Sequence, residues 1–313
     1  MKKIPVIVVC GATASGKTSL AINLAKEYNG EVISADSMQI YKGMDIGTAK
    51  PSIEEMDGII HHMIDVCDIT DIYNVSDYCD AAHKVIEDVY NRKKIPIVCG
   101  GTGLYIDSLI NDIDFSESTN NEEIRKGLID YAEENGSEKL YEMLQHLDPV
   151  AAQSIHSNNI KRVIRAIEHI KLTGELFSEY KKNAAGRESR YNPIWLMIDM
   201  DREILYDRIN RRVDIMAENG LEDEARKIYN MNLPDNLTSL CGIGYKELFE
   251  YFKGNCSRDE AFENIKQNSR RYAKRQLTWF RRNRKINYLN FNDSLMIQAK
   301  KIIGDEFNGK IYI

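Results

Sequence analysis

The stretch Gly11-Ala12-Thr13-Ala14-Ser15-Gly16-Lys17-Thr18 decides the fold. It matches G-x-x-x-x-G-K-[ST] at every fixed position, the pattern of a loop that cradles phosphate. Glycines let such a loop turn tightly and bring its N–H groups up to phosphate oxygens. The helix that starts inside it points its positive end at the anion. Lys17 adds a full charge, and the Thr18 hydroxyl can ligate Mg²⁺. The context is the required one: the apolar run Ile4 to Cys10 lies just upstream, and Leu20, Ala21, Leu24 and Ala25 follow at helical spacing until Asn29-Gly30. Lys2 and Lys3 precede the apolar run, but it is too short for a secretion signal and leads straight into the loop, so it reads as a buried first strand.

Working outward, short apolar segments at Val6–Cys10, Val32–Ser34, Ile95–Cys99, Trp195–Ile198 and Ile286–Leu289 read as buried strands separated by helical patterns, among them Val75 to Asn91. That alternation predicts an α/β fold, a P-loop NTPase-like parallel sheet core. Residues 119–187 differ. They show no strand pattern but a Leu140, Leu144, Leu147 stripe and an Asp148-Pro149 helix start. A helix with Ile160, Val163, Ile164 and Ile167 on one face then ends at Thr173-Gly174. The expected organisation is a core of 1–118 and 188–313, with a basic helical C-terminal part, interrupted by a helical insertion over 119–187. Polar segments, Ser116–Glu122 and Lys181–Arg190, bound the insertion. Beyond it, Asp201 is expected to cap a helix with Ile204, Leu205, Ile209, Val213 and Met216 inward, ending at Asn219-Gly220.

Composition narrows the class. With 43% hydrophobic and 29% charged residues, the 313-residue chain can bury a real core. No apolar run approaches the roughly 20 residues needed to span a bilayer. The six cysteines form no C-x-x-C pair, which points to reduced thiols in a cytoplasmic protein. His61 and His62 have no partner at metal-ligand spacing and read as structural. The net charge of −6 hides an asymmetry: SRRYAKRQLTWFRRNRK, residues 269–285, holds eight basic residues and no acidic one, leaving about −14 on the rest. Tyr272, Trp279 and Phe280 lie among those charges.

Two further constellations follow strands and should face the phosphate loop, because strand C-terminal ends line the ligand crevice of parallel sheets. In the first, Ser34-Ala35-Asp36-Ser37-Met38-Gln39, Asp36 is either a carboxylate that accepts a proton or a cap for the next segment. In the second, Gly100-Gly101-Thr102-Gly103, the glycines either admit a ligand or make a simple strand-to-helix turn. The strand before them ends without the carboxylate that helps ATPases hold Mg²⁺. ATP is the default cargo of the loop, and a small-molecule kinase stays open on these residues. A diphosphate leaving group fits the loop equally well.

The chain resembles the tRNA dimethylallyltransferase family, also called tRNA isopentenyltransferases. The resemblance runs nearly end to end, through GATASGKT, ISADSMQIYKGMDIGTAKP, HHMIDV, PIVCGGTGLYIDSL, DPVAAQSIH, KRVIRAIE, LTGELFSEY, DREILYDRINRRVDIM, GIGYKEL and IKQNSRRYAKRQLTWFRR. One departure is Ala12, where the family's loop usually has proline. The resemblance implies transfer of a dimethylallyl group from dimethylallyl diphosphate to N6 of the adenosine 3′ to the anticodon, with Mg²⁺. In it, Gly11 to Thr18 hold the donor diphosphate, Asp36 is the general base, Thr102 lies close to the reacting groups and Arg212 grips the diphosphate. Asp36, Ser37, Met38, Gln39 and Thr102 would also contact tRNA, as would Arg125 and the segment Lys161, Arg162, Val163, Ile164 and Arg165. Arg162, Arg165 and His169 share one helix face, either an RNA contact or a solvated surface. The partners implied are the tRNA anticodon stem-loop and dimethylallyl diphosphate, with no membrane, for a chain acting as a monomer. A prenyltransferase on free adenine nucleotides and a non-catalytic RNA-binding protein are the remaining alternatives; the insertion and the 269–285 run oppose the first, and Lys17, Thr18 and Asp36 the second.

Overall fold

Six parallel strands form one sheet in a computed structural model that describes residues 3–113, 121–185 and 188–306. They are β1 Ile4–Cys10, β2 Gly30–Ala35, β3 His61–His62, β4 Ile95–Gly100, β5 Tyr191–Asp199 and β6 Ile286–Asn290, in the order β3-β2-β4-β1-β5-β6. The expected strands are present but longer. β2 takes in Gly30 and Glu31, and β5 begins at Tyr191, because backbone pairing continues past the apolar residues that marked them. β3, two histidines long, has no apolar run to announce it; His62 instead pairs with the buried Glu31, which also binds Arg92 and Lys94. These hydrogen bonds hold the Glu31 carboxyl well below its usual range, those from Arg92 most strongly, against the opposing effect of burial. Ile7, Val9, Val32, Ile97 and Leu196 share a core with Leu20 and Leu24 of the helix Lys17–Glu27.

The chain divides into two compact units, Met1–Ile110 with Arg190–Ile313, and Asn111–Ser189. The edges expected at 118, 119 and 187, and most of the Ser116–Glu122 segment, lie outside the described residues. In the sheet unit, the helix Arg202–Glu218 buries Leu205, Ile209 and Val213, whereas Ile204 is exposed. Asp201 stands at the N-cap position of that helix but makes no side-chain cap hydrogen bond.

The second unit is helical: Glu122–Asn135, Ser137–Leu147, Pro149–Ser154, Ile160–Thr173 and Phe177–Ala185. Its core joins Leu128, Leu140, Leu144, Val163, Ile164 and Ile167. Leu147 and Ile160, expected inward, are exposed at helix ends. His169 departs the other way. Gly174, left-handed at φ 74°, turns the chain back so that Phe177 and Tyr180 cover the histidine, with ring centroids at 5.7 and 4.5 Å. The solvated face of that helix therefore keeps Arg162 and Arg165 but not His169.

Asp148 knits this unit together. Fully buried, it caps Ala151 N–H at 2.9 Å and accepts from Ser178 N–H at 2.8 Å and the Ser178 hydroxyl at 2.9 Å. Burial raises its pKa, but these hydrogen bonds together hold it below the ordinary value. A carboxyl with a depressed folded pKa contributes stability above its unfolded pKa and loses it as pH falls through the folded one. Asp148→Asn is expected to cost about 1–3 kcal/mol in urea unfolding at neutral pH. The gap from wild type should narrow below pH ~4. A gap independent of pH would show that the charge contributes nothing.

Candidate active site

Register brings three loops to one level. Cys10 pairs with Gly100 across β1–β4, and Ala35 pairs with the same Gly100 across β2–β4. Residues 11–18, 36–39 and 101–103 therefore leave the sheet side by side. In the first loop, Gly11, Ala14 and Gly16 have φ of 142°, 61° and 95°. These left-handed turns curl the backbone around the helix start. Leu20 N–H donates to Gly16 O, so the N–H groups of Lys17, Thr18 and Ser19 precede the first bond of the helix. Lys17 Nζ reaches Ala12 O at 3.3 Å. Burial is the main influence on its pKa and lowers it; Arg212 adds to the lowering and Asp36 opposes it. Among the described residues the buried Ser15 hydroxyl has no hydrogen-bond partner.

Asp36 resolves one open reading. No helix follows it: residues 37–40 form a turn, and Asp36 Oδ1 accepts Met38 N–H at 3.0 Å. This bond fixes the carboxylate while leaving it partly exposed. Thr102 secures the same segment, accepting Ser37 N–H at 3.0 Å and donating to the Ser37 hydroxyl at 3.3 Å. Gln39 turns inward, accepting from the Ser34 hydroxyl and donating to Thr48 O and Ala49 O.

The glycines that end β4 and follow it make room for protein rather than for a ligand. A Cβ on Gly100 would stand 2.1 Å from Ala35 O, on Gly101 2.1 Å from Gln276 Nε2, and on Gly103 2.3 Å from Trp279 Cδ1. Gln276 and Trp279 belong to the helix Arg258–Phe280, and Trp279 Nε1 donates to Asp107 at 2.6 Å. Because that indole is tied down, Gly103→Ala is expected to destabilise the protein by about 1–3 kcal/mol. A wild-type midpoint in urea would contradict the packing.

The helix Arg202–Glu218 supplies the cations. Arg208 Nε donates to Ala14 O at 2.8 Å, and one turn on, Arg212 Nη2 reaches Ala49 O at 3.3 Å. Burial lowers the Arg212 pKa, opposed by Asp36 and Glu55. Its neighbour Arg211 points away, 75% exposed and paired with Asp207. Lys17, Asp36, Ser37, Met38 and Arg212 line one cavity of about 270 Å³. Met216, Ile243 and Ile265 give it an apolar wall. A wider cleft, holding Thr18, Arg208 and Arg211, shares Ala14, Lys17, Ala49, Arg212 and Met216 with the cavity.

Several contributors carried no motif. Glu224 accepts the N–H groups of Asp45, Ile46 and Gly47, each at 2.9 Å, and the Tyr245 hydroxyl at 2.7 Å. It thereby sets the wall that presents Ala49 O to Arg212. Tyr272, beside Thr102 and Gln276, has its hydroxyl pKa pushed up to about 12 by burial and by Asp36. The aromatic residues of the 269–285 run serve packing: Phe280 is buried, and Trp279 fits over Gly103. Arg271, Lys274, Arg275, Arg281 and Arg282 are exposed.

The other sequence-predicted contacts lie in the helical unit. Lys161, Arg162 and Arg165 are exposed, whereas Val163 and Ile164 are buried in that unit's core, so their side chains offer nothing to RNA. Arg125 pairs with the buried Glu168 at 2.8 Å. Burial lowers the Lys181 pKa, and so do Arg162 and Arg165, which places three cations in one neighbourhood.

Residues 39–283 match the family described as IPP transferase. The chain is similar to a tRNA dimethylallyltransferase of Bacillus velezensis, 47% identical over 300 residues, covering 96% of this chain and 95% of that protein. The crystal structure of the full-length tRNA isopentenylpyrophosphate transferase of Bacillus halodurans aligns with a TM-score of 0.72 at 43% identity, over 99% of this chain and 97% of that one. A eukaryotic dimethylallyltransferase, crystallised in snapshots of its action on tRNA, aligns with a TM-score of 0.84 at 30% identity, over 97% of this chain and 79% of that one.

Proposed function

The chain belongs to the IPP transferase family, and from that premise we propose that it moves a dimethylallyl group from dimethylallyl diphosphate to N6 of the adenosine 3′ to the anticodon in tRNA. It is a transferase, and its reaction is dimethylallyl transfer to tRNA. One observation carries the finer reading: a single cavity joins a carboxylate, Asp36, to the phosphate-loop lysine, Arg212 and an apolar wall. A kinase needs no apolar wall there, and β4 ends on Gly100 instead of a metal-binding carboxylate.

The chemistry follows from those groups. The N6 lone pair is delocalised into the adenine ring, so the amine is a weak nucleophile. As N6 bonds to C1 of the donor, the C1–O bond breaks and diphosphate leaves with the electron pair. The amine proton passes to the Asp36 carboxylate. Lys17, Arg212 and the N–H groups at the helix start balance charge growing on the leaving oxygens. Met216 and Ile243 offer surface to the isoprenoid chain. The adenine must leave its stack, at a cost of a few kcal/mol, which is least in a single-stranded loop.

Mg²⁺ fits the donor set. Thr18 lines the wider cleft together with Lys17 and Arg212, where an ion would take its hydroxyl along with diphosphate oxygens and water. Bound there, it would neutralise charge on the leaving group. Arg162, Arg165 and Lys161 on the helical unit, and the exposed arginines of 269–285, fit a phosphate backbone. Six free cysteines suit the cytoplasm, no helix among the described residues is long and apolar enough to cross a membrane, and the reading has the chain working as a monomer.

The test is the mass of tRNA nucleosides after unmodified tRNA is incubated with protein, dimethylallyl diphosphate and Mg²⁺. One adenosine gaining a five-carbon isoprenoid unit is the expected result. Phosphate transfer from ATP to a small acceptor, with no change in tRNA, would replace this reading by the kinase.

A further inference from the structure

We propose that Gln276 is a positioning residue: from the basic helix Arg258–Phe280, its amide clamps the donor's phosphate loop to the loop after β4 and so sets the geometry that receives diphosphate. Gln276 is buried, at 4% exposure. Its Oε1 accepts Thr13 N–H at 2.8 Å, and its Nε2 donates to Gly101 O at 3.0 Å. Only one orientation of the amide is chemically possible, since a flipped amide would set donor against donor and acceptor against acceptor. Gly101 lacks the Cβ that would collide with Nε2. Tyr272, one turn earlier on the helix, stands beside both Gln276 and Thr102. One side chain thus ties together two loops that come from distant parts of the chain.

The clamp has a chemical consequence. Thr13 N–H is aimed at the glutamine, which leaves the N–H groups at Lys17, Thr18 and Ser19 to face the anion. It also has a mechanical one. The helix that carries Arg271, Lys274 and Arg275 on its exposed side holds the donor loop with its buried side. A shift of that helix moves Thr13 and Gly101 together, which couples a basic surface to the geometry of the diphosphate site.

The role as donor positioner rests on the prenyl-transfer reading, but the first test does not. Binding of inorganic diphosphate with Mg²⁺ is measured by calorimetry for wild type, Gln276→Glu and Gln276→Met. Gln276→Glu keeps shape and one acceptor but opposes an anion to Gly101 O. Gln276→Met keeps volume and loses both bonds. Each is expected to weaken diphosphate about tenfold, a typical effect of losing a buried hydrogen bond. In transfer assays the donor KM rises while the tRNA KM stays near wild type, a split that general loosening would not give. Hydrogen exchange at the Thr13 amide of the wild type needs no variant: protection without ligand is expected. Free exchange at Thr13, or wild-type diphosphate affinity in both folded variants, overturns the proposal. Diphosphate binding that depends on Gln276, in a wild type that transfers no prenyl group to tRNA, would sink the prenyl-transfer reading and leave the clamp standing.

Discussion

Asp36→Ala is expected to slow prenyl transfer to tRNA roughly 10³-fold, within the range a positioned general base contributes. The Asp36 carboxylate is held by Met38 N–H and stands in the cavity with Lys17 and Arg212. Removing it takes away the acceptor for the amine proton. It also takes away a carboxylate that both cations feel. Inorganic diphosphate should therefore bind as well as before or more tightly. That opposite movement separates lost chemistry from a damaged fold. Asp36→Asn, which keeps the shape, should be nearly as slow. Single-turnover rates with saturating donor and tRNA make the comparison, and a variant within tenfold of wild type would remove Asp36 from the mechanism.

Arg212→Ala should lower kcat/KM for the donor by about 10²–10³, the effect of removing one preorganised donor to a developing oxyanion. Arg212 is half-buried beside the phosphate loop and braced by Ala49 O, so it stands preorganised where the leaving oxygens would lie. Arg211→Ala is the internal control. Exposed and paired with Asp207, Arg211 should leave transfer close to wild type, because exposed pairs contribute little. If Arg211→Ala were the slower variant, the leaving group would be held from the wider cleft, and the role of Arg212 would fall.

The phosphate loop, the parallel sheet and the meeting of Asp36 with Lys17 were legible because each depends on local pattern or on a topological rule. A motif fixes its own backbone, and strand ends line the crevice wherever the strands are parallel. What stayed hidden depended on partners far along the chain. Gly101 and Gly103 read either as room for a ligand or as a simple strand-to-helix turn, and only the arrival of Gln276 and Trp279 shows what packs against them. That helix concealed its buried face because the face includes Gln276 beside Ala273 and Phe280, which blurs the apolar periodicity. Ile204, Ile160 and Leu147 fit an inward stripe by spacing, yet sit where the helix ends or turns away from its core. Glu224 could not be read at all, since a carboxylate that binds backbone leaves no trace in composition.

Glu224 gives the cavity a property beyond its shape. The N–H groups of Asp45, Ile46 and Gly47 converge as they would on a bound anion, and the chain fills that concavity with its own carboxylate. Beside the phosphate loop, a backbone cradle open for cargo, the sheet unit therefore carries another that its own carboxylate satisfies at the moment of folding. The conformational entropy of the 45–49 wall is lost when the chain folds, not when the donor is captured. Affinity for diphosphate is then not diminished by the need to order that wall, and the first substrate to bind meets a surface already in place.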